Sequence, residues 1–568
     1  MRYILLSVFI YTTIYTQAQN ILHKELLGRP TDQSVTVEMF FDSEVEVAVT
    51  YGLSPSNLLN QTAWQTFAAG DSAEIIINGL QADTKYFYAL IYKNKGASNY
   101  ITRPTYSFQT QRKTGSGFTF MVQADPHLDA SSDTALYRTC LQNQLDDKPD
   151  FMIDLGDFLM TDKLRNANKI VPKDTIPYRC KLLRSYYENI GHSVPLFIAL
   201  GNHEGEAKWN LNNTPNNIAI WGTQERKKYF LNPEPNNFYT GDTINHTYIG
   251  KRENYYAWTW GDALFIVIDP YWYTGPKPDS LHGWGWTLGK VQYEWLKTTL
   301  ANSKSPFKFV FSHQIIGGDP EGRGGVEFAD RYEWGGKNLD GTEGFATNRP
   351  GWDKPIRQIL EENKVTIFFH GHDHFFGKQD KNCLVYQETP QPSLPNFQNS
   401  SAADYGYFQG QILPNAGHIK VLVDSNGVKV EYIRAYLPKN ETATRKNKDI
   451  SATYYIGKVN CYDSLSTGVP VIWNKNYADE LVYPNPFEQE TTIEFSVKNA
   501  NRITLQIFDE QGRLVRNLFQ TNLLLEGKYQ VVWDGKDGNG NPLTAGIYWY
   551  HISENSIVKS SGKIILNK

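Results

Sequence analysis

The sequence predicts a multidomain chain in which an α/β core is flanked by two all-β modules. Three observations carry this. Apolar and polar residues alternate with period two from about 25 to 112. Short, near-continuous apolar runs alternate with longer polar or helical stretches from about 115 to 437. From Tyr483 onward, strand-like runs return, separated by Gly, Asn and Asp turns.

Residues 1–18 read as a signal peptide that is removed on export. Arg2 supplies the positive start, Ile4–Ile10 and on to Tyr15 the apolar run, and Thr16-Gln17-Ala18 the small residues before a cut that leaves Gln19 first. The run falls short of the roughly 20 apolar residues that a membrane span needs, and no later segment supplies one. In the front module, 25–112, Ser34–Met39 and Glu46–Tyr51 alternate, and Glu74–Ile77 leads through Gly79-Leu80 into Thr84–Leu90. The core, 115–437, has its apolar runs at Phe118–Val122, Phe151–Leu155, Pro195–Leu200, Leu264–Ile268, Phe307–Phe311 and Val365–Phe369. Such continuity predicts strands covered on both faces. Residues 438–482 read as a linker, with a loop at Lys439–Lys448 and a possible return strand at Ile450–Ile456. The final module, 483–568, has strands at Thr492–Val497, Ile503–Phe508, Gly527–Trp533, Gly546–His551 and Lys559–Lys568, with a turn at Asp534–Gly540.

The net charge is −4 over 568 residues, with no basic tract, so nothing signals nucleic-acid binding. Four cysteines, Cys140, Cys180, Cys383 and Cys461, are too sparse for a disulfide framework. A Cys140–Cys180 disulfide is one option that the sequence leaves open.

Five clusters end five of the core runs: Asp125-Pro126-His127, Gly156-Asp157, Gly201-Asn202-His203-Glu204, Ser312-His313 and Gly371-His372-Asp373-His374. In α/β sheets, sites form beyond the carboxyl ends of strands, so separate strands can aim these clusters into one crevice. Imidazole and carboxylate groups suit Zn, Mn or Fe, and a carboxylate such as Asp157 can bridge two ions about 3.5–4 Å apart. A glycine beside it allows close backbone approach. Any one cluster alone would read as a turn or a structural histidine; the ordered set reads as a dinuclear metal site.

That ordered set, over about 115–435, resembles the calcineurin-like metallophosphoesterase superfamily. The resemblance implies an α/β metallophosphoesterase fold, a β-sandwich core with helices. It implies two divalent transition-metal ions, Zn, Mn or Fe. Asp125, His127, Asp157 and His374 would hold one ion, and Asp157, Asn202, His313 and His372 the other. His203 would stay unligated and face the phosphate as the catalytic residue. The implied reaction is hydrolysis of a phosphate mono- or diester by a bridging hydroxide, the ester being a nucleotide, sugar phosphate or phosphorylated polymer. Gly79-Leu80 with Thr84, Tyr86 and Tyr88 resembles fibronectin type III modules and the front sandwich of purple acid phosphatases. Those phosphatases carry a tyrosine ligand three residues after the aspartate; here the position is Met160, so the tyrosinate–iron chromophore should be absent.

Tyr483-Pro484-Asn485-Pro486-Phe487, Ile507–Val515 and Gly546-Ile547-Tyr548 resemble the type A sorting domain of the type IX secretion system of Bacteroidetes, an immunoglobulin-like β-sandwich. This implies the secretion machinery as a partner and a secreted or cell-surface location. Without it, the module reads as an adhesive or carbohydrate-binding sandwich, and the rival whole-chain reading is a surface adhesion or glycan-binding protein with a vestigial core. Substrate contacts are less legible. Arg323 and Arg349 could clamp a phosphate through a planar fork or lie on the surface. Trp258, Trp260, Tyr271, Trp272, Tyr273, Trp284 and Trp286 could stack on a substrate or simply pack. Glu204 could orient a ligand residue or be a solvated turn residue.

Overall fold

The computed structural model describes residues 21–279, 283–319, 321–457, 471–473, 480–497, 501–524, 527–554 and 557–567. The signal peptide expected at 1–18 lies outside them, as does Cys461.

The front module is two facing sheets. Strands Ile21–Gly28, Ser34–Phe41 and Ser72–Asn78 form one; Val45–Gly52 and Lys85–Asn94, with four short strands, form the other. The period-two residues Val35, Val37, Met39, Val45, Val47, Val49, Ile75 and Ile77 meet between them. Tyr86 and Tyr88 are buried there, the Tyr86 hydroxyl accepting from the Gln81 amide at 3.0 Å. Glu38 on this module and Arg184 on the Thr175–Tyr187 helix pair at 2.7 Å with both side chains wholly buried, which ties the module to the core.

The core is a four-layer sandwich. A six-stranded sheet runs in the order Leu196–Ile198, Phe151–Asp154, Phe118–Gln123, Gly417–Val423, Gly427–Arg434, Ile450–Gly457. The expected return strand is therefore its edge. The facing eight-stranded sheet contains Ala263–Val267, Phe307–Phe311, Ile367–His370 and Leu384–Glu388 as parallel neighbours. Phe120, Phe151, Phe197, Trp258, Phe265, Phe309, Phe311 and Phe369 fill the space between the sheets. Helices Thr134–Asp146 and Thr175–Tyr187 cover the first sheet, and Lys290–Asn302 and Ile356–Glu362 the second. Both faces of the parallel strands are thus dry, as their unbroken apolarity requires.

The registers decide where the site lies. Gln123, Asp154 and Ile198 are partners across three adjacent strands, and Phe311 pairs with Phe369 on the facing sheet. Asp125, Asp157 and Asn202 follow the first three partners, and His313 and His372 follow the other two, each within a few residues. All five clusters therefore leave the carboxyl ends of their strands at one edge of the sandwich.

The tail folds as two four-stranded sheets, with Thr491–Val497 and Gly527–Trp533 in one and Asn501–Phe508 and Gly546–Glu554 in the other. The last strand is Ile557–Leu566. Asn485 of the Tyr-Pro-Asn-Pro-Phe segment fastens it, donating to the Lys563 carbonyl at 2.7 Å and accepting from the Ile565 amide at 2.8 Å. Phe487 is buried beside Trp533. The disulfide considered for Cys140 and Cys180 is not formed: both are free, buried thiols, and Cys383 is the disulfide-bonded one.

Candidate metal centre

Two groups of ligand-type side chains face each other at the sheet edge: Asp125, His127 and His374, and Asp157, His313 and His372. Asp157 lies between them. Its Oδ2 is 3.8 Å from His127 Nε2 and 3.1 Å from His313 Nε2. Asp125 Oδ1 is 3.7 Å from His127 Nε2 and 3.4 Å from His374 Nε2. Asn202 joins the second group, its Oδ1 3.0 Å from His313 Nε2. His203 Nε2 stands 3.7 Å from Asp157 Oδ2, on a half-buried turn.

The donor chemistry fits metal ions. His313 Nδ1 donates to the Leu155 carbonyl at 2.9 Å, and His372 Nε2 to the Glu321 carbonyl at 3.1 Å. In the neutral rings this turns His313 Nε2 and His372 Nδ1 into lone pairs, yet they lie 3.2 Å apart with the Asp157 carboxylate alongside. Asp125 Oδ1, Asp157 Oδ2 and His127 Nε2 are buried with no hydrogen-bond partner. Buried acceptors are left unpaired in this way when a cation is to complete them. The titration directions agree. Burial opposes a charged His313, but Asp157 and Asp125 outweigh it and push the imidazole up to about 10. Burial would likewise raise Asp125, but the imidazoles of His374 and His313 hold it well below the usual carboxylate range. Both directions mark the pocket as one that favours positive charge beside its carboxylates.

The loops are held by groups behind the ligands. Glu204 is fully buried and accepts from the amides of Asp157, Phe158 and Leu159 at 3.0, 2.7 and 3.2 Å, and from Gly201. Of its two readings, the orienting one holds. Burial, then the charge of Asp157, pushes its pKa up to about 7; the four amides oppose that shift. Arg179 donates to the carbonyls of Leu159, Leu128 and Phe158 at 3.0, 2.9 and 2.7 Å, and to that of His127. Glycine is needed where these loops touch: a Cβ on Gly201 would lie 2.2 Å from Asp157 Oδ1, and one on Gly371 2.7 Å from Asp125 Oδ2. Beside Asp157, the close approach at Gly156 is to the Ala199–Gly201 backbone, at 2.4 Å from the Gly201 nitrogen. Met160 is buried in a left-handed turn where a tyrosine ligand would stand. The nearby Tyr271 hydroxyl donates to Gln314.

A cavity of about 890 Å³ opens on Asn202, His203 and His372. Arg323 lines it, but its Nη1 is engaged by the His372 carbonyl at 2.8 Å and Asp373 at 2.9 Å, so it braces His372 of the second group. Arg349 does not line the cavity. Its donors go to Glu333 and to the carbonyls of Asn348, Trp284 and Trp286, which makes it a loop brace and not a phosphate clamp. Of the aromatic residues singled out, only Trp286 reaches the cavity wall. Trp258 and Trp260 lie between the sheets, and Trp272 packs under Arg252. Trp209, Trp221, Arg165, Lys169 and Lys277 line the cavity and had no distinguishing signal in the sequence.

Residues 118–376 match the calcineurin-like phosphoesterase family. They form a calcineurin-like phosphoesterase domain. This supports a metal-dependent phosphoester hydrolase. Residues 484–556 match the FlgD Ig-like domain. Among solved structures, the chain is similar to one described as PhoD, at 15% identity and TM-score 0.56, covering 78% of this chain and 91% of that one. It is also similar to purple acid phosphatase PPD1 from yellow lupin seeds, at 15% identity and TM-score 0.50, covering 76% and 74%. At these identities the likeness is one of fold. No curated protein matches the chain.

Proposed function

We propose that this chain is an exported phosphoesterase with two divalent transition-metal ions, hydrolysing phosphate mono- or diesters. The observation that carries the reading is Asp157 Oδ2, buried, without a hydrogen-bond partner and placed between His127 and His313. Asp125, His127, Asp157 and His374 would hold one ion and Asp157, Asn202, His313 and His372 the other. Bound there, the ions supply Lewis acidity toward phosphoryl oxygens and acidify water. The chain's own contribution is positioning. His203, on the turn beside Asn202 and lining the cavity, faces the phosphoryl group. Protonated, it offsets the charge growing on the phosphoryl oxygens and hands its proton to the departing oxygen. Glu204, Arg179 and Arg323 fix the loops so that none of this geometry has to form during reaction.

Export is supported by the residue pattern of 1–18 and by the Tyr483–Phe487 and Gly546–Tyr548 motifs, on which we read the tail as a type IX sorting domain. The front sandwich, with its Tyr86 hydroxyl on the Gln81 amide, is read as fibronectin type III-like. No described helix is long and apolar enough to cross a membrane.

The test is elemental analysis of the reconstituted protein together with turnover of an aryl phosphate. Two ions per chain and metal-dependent hydrolysis are expected, with Asp157→Ala losing both. A reconstituted protein that binds no Zn, Mn or Fe would refute the reading and favour the adhesive one.

A further inference from the structure

The cavity beside the metal ligands is also lined by cations that the metal site does not use. Arg165, Lys169 and Lys277 line it together with His203 and His372. All three side chains are exposed, and among the described residues none makes a side-chain hydrogen bond or ion pair. Arg323 is already engaged with Asp373 and Glu321, so it does not compete for the same anion. Two acidic residues, Asp279 and Glu321, also line the wall; Glu321 sits 3.3 Å from Arg323. Neither acidic residue forms an ion pair with the three loop cations among the described residues.

The rest of the lining fits a bulky anion. The indole nitrogens of Trp221 and Trp286 are buried without a hydrogen-bond partner, and Trp209 stands edge-on to Trp286 at 6.0 Å. Such walls offer apolar faces for a sugar or base body. A volume of about 890 Å³ is ample, since pockets of about 300–1,000 Å³ take a whole small molecule. Like charges lining a low-dielectric cleft focus an anionic ligand toward it.

We infer that the cavity selects phosphate esters whose leaving group carries a second phosphoryl group, received by Arg165, Lys169 and Lys277. The inference rests on the phosphoesterase reading. One phosphoryl group lies at the metal ligands and His203; the body of the ester crosses the tryptophan-lined wall; the other phosphoryl group meets the loop cations. These three residues are specificity determinants and take no part in bond breaking.

The test compares glucose 1,6-bisphosphate with glucose 6-phosphate, which differ by one phosphoryl group, on metal-loaded protein. Affinity is read by thermal-shift titration and kcat/KM by phosphate release. The wild type should prefer the bisphosphate by both readouts. In R165S/K169S/K277S that preference should fall by on the order of a hundredfold, about fivefold per exposed charge pair. The loss should sit in KM with kcat little altered, and the wild-type preference should shrink as salt rises. Circular dichroism and an unchanged melting midpoint without ligand would show that the variant folds. An equal affinity for both sugars in the wild type, or a preference that survives the triple substitution, would overturn the inference. Absence of any turnover, even of an aryl phosphate, would instead strike the phosphoesterase reading, and the affinity comparison would still decide this one.

Discussion

Replacing Glu204 by glutamine keeps the side-chain volume and changes what one atom can accept. Oε2 faces the amides of Asp157 and Gly201, and Oε1 those of Phe158 and Leu159. Whichever way the new carboxamide turns, its NH2 group meets two N–H donors. Above the pKa of about 7 to which burial pushes Glu204, hydrogen bonds to the charged acceptor contribute about 1.5–3 kcal/mol each, so losing two should cost about 3–6 kcal/mol. A domain of 150–250 residues shifts by roughly 2–4 °C per kcal/mol. This core is larger, and at the lower slope its melting midpoint should fall by roughly 6–12 °C. Either pair holds the Asp157 loop, and the Oε2 pair also holds the Gly201 end of the Asn202–His203 turn, so metal content should fall as well. Calorimetry and elemental analysis on one preparation read both effects. A glutamine variant with the wild-type midpoint and full metal content would show that an ionised carboxylate is not what joins these loops.

His203→Ala should retain its metals and its melting midpoint while turnover falls by on the order of 10²–10⁴, most for esters with poor leaving groups; loss of a metal would make His203 a ligand. Iron-loaded protein should show no strong visible tyrosinate band, because Met160 occupies the position three residues after Asp157; a purple sample would mean that another tyrosine reaches the metal. Arg184→Met strands Glu38 in a wholly buried site, which should cost about 3–5 kcal/mol and lower the urea midpoint. Glu38→Met with Arg184→Met should recover most of that loss, and a double variant no better than the single one would argue against a coupled pair.

The strands were legible because burial on both faces leaves an unbroken apolar run, as in Phe118–Gln123 and Phe307–Phe311. The ligand-type residues were legible because strand ends in register must deliver them to one edge. What surrounds them was not. Glu204 acts on amides 45 to 47 residues away in the chain, and nothing local separates that from a solvated turn. Arg349 failed as a phosphate clamp because a guanidinium that braces carbonyls and one that binds anions look alike until their partners are seen. The aromatic residues between 258 and 286 mostly pack, since strand Tyr256–Trp260 belongs to the eight-stranded sheet and turns Trp258 and Trp260 into the space between the sheets. The rim cations Arg165, Lys169 and Lys277 sit in polar loops, where a lysine has no pattern to distinguish it.

The backbone at the site gives an independent reason for so many buried braces. Asp125, His127, Asp157, His372 and His374 have φ of 57, 47, 66, 78 and 65°, all in the left-handed region. Such conformations cost on the order of 1–3 kcal/mol each for non-glycine residues. Together that is roughly 5–15 kcal/mol, the size of a whole domain's net stability, so the loops could not hold these shapes alone. Each is fastened from outside. Arg179 holds the carbonyl of His127 and those of Phe158 and Leu159 after Asp157. Glu204 holds the amide of Asp157, Arg323 the carbonyl of His372, and Asn415 the carbonyl of His374 at 2.6 Å. The amide of His372 donates to Asp125 at 2.9 Å, so that two strained loops brace each other. Strain of this kind persists only where surroundings over-determine it, and here the surroundings are polar and charged side chains, most of them buried. The left-handed turns aim short side chains back toward the sheet edge, which an extended strand end would send to alternate faces. The convergence of acceptors that marks the metal centre is thus a property of the loops and their braces as much as of the ligand residues themselves.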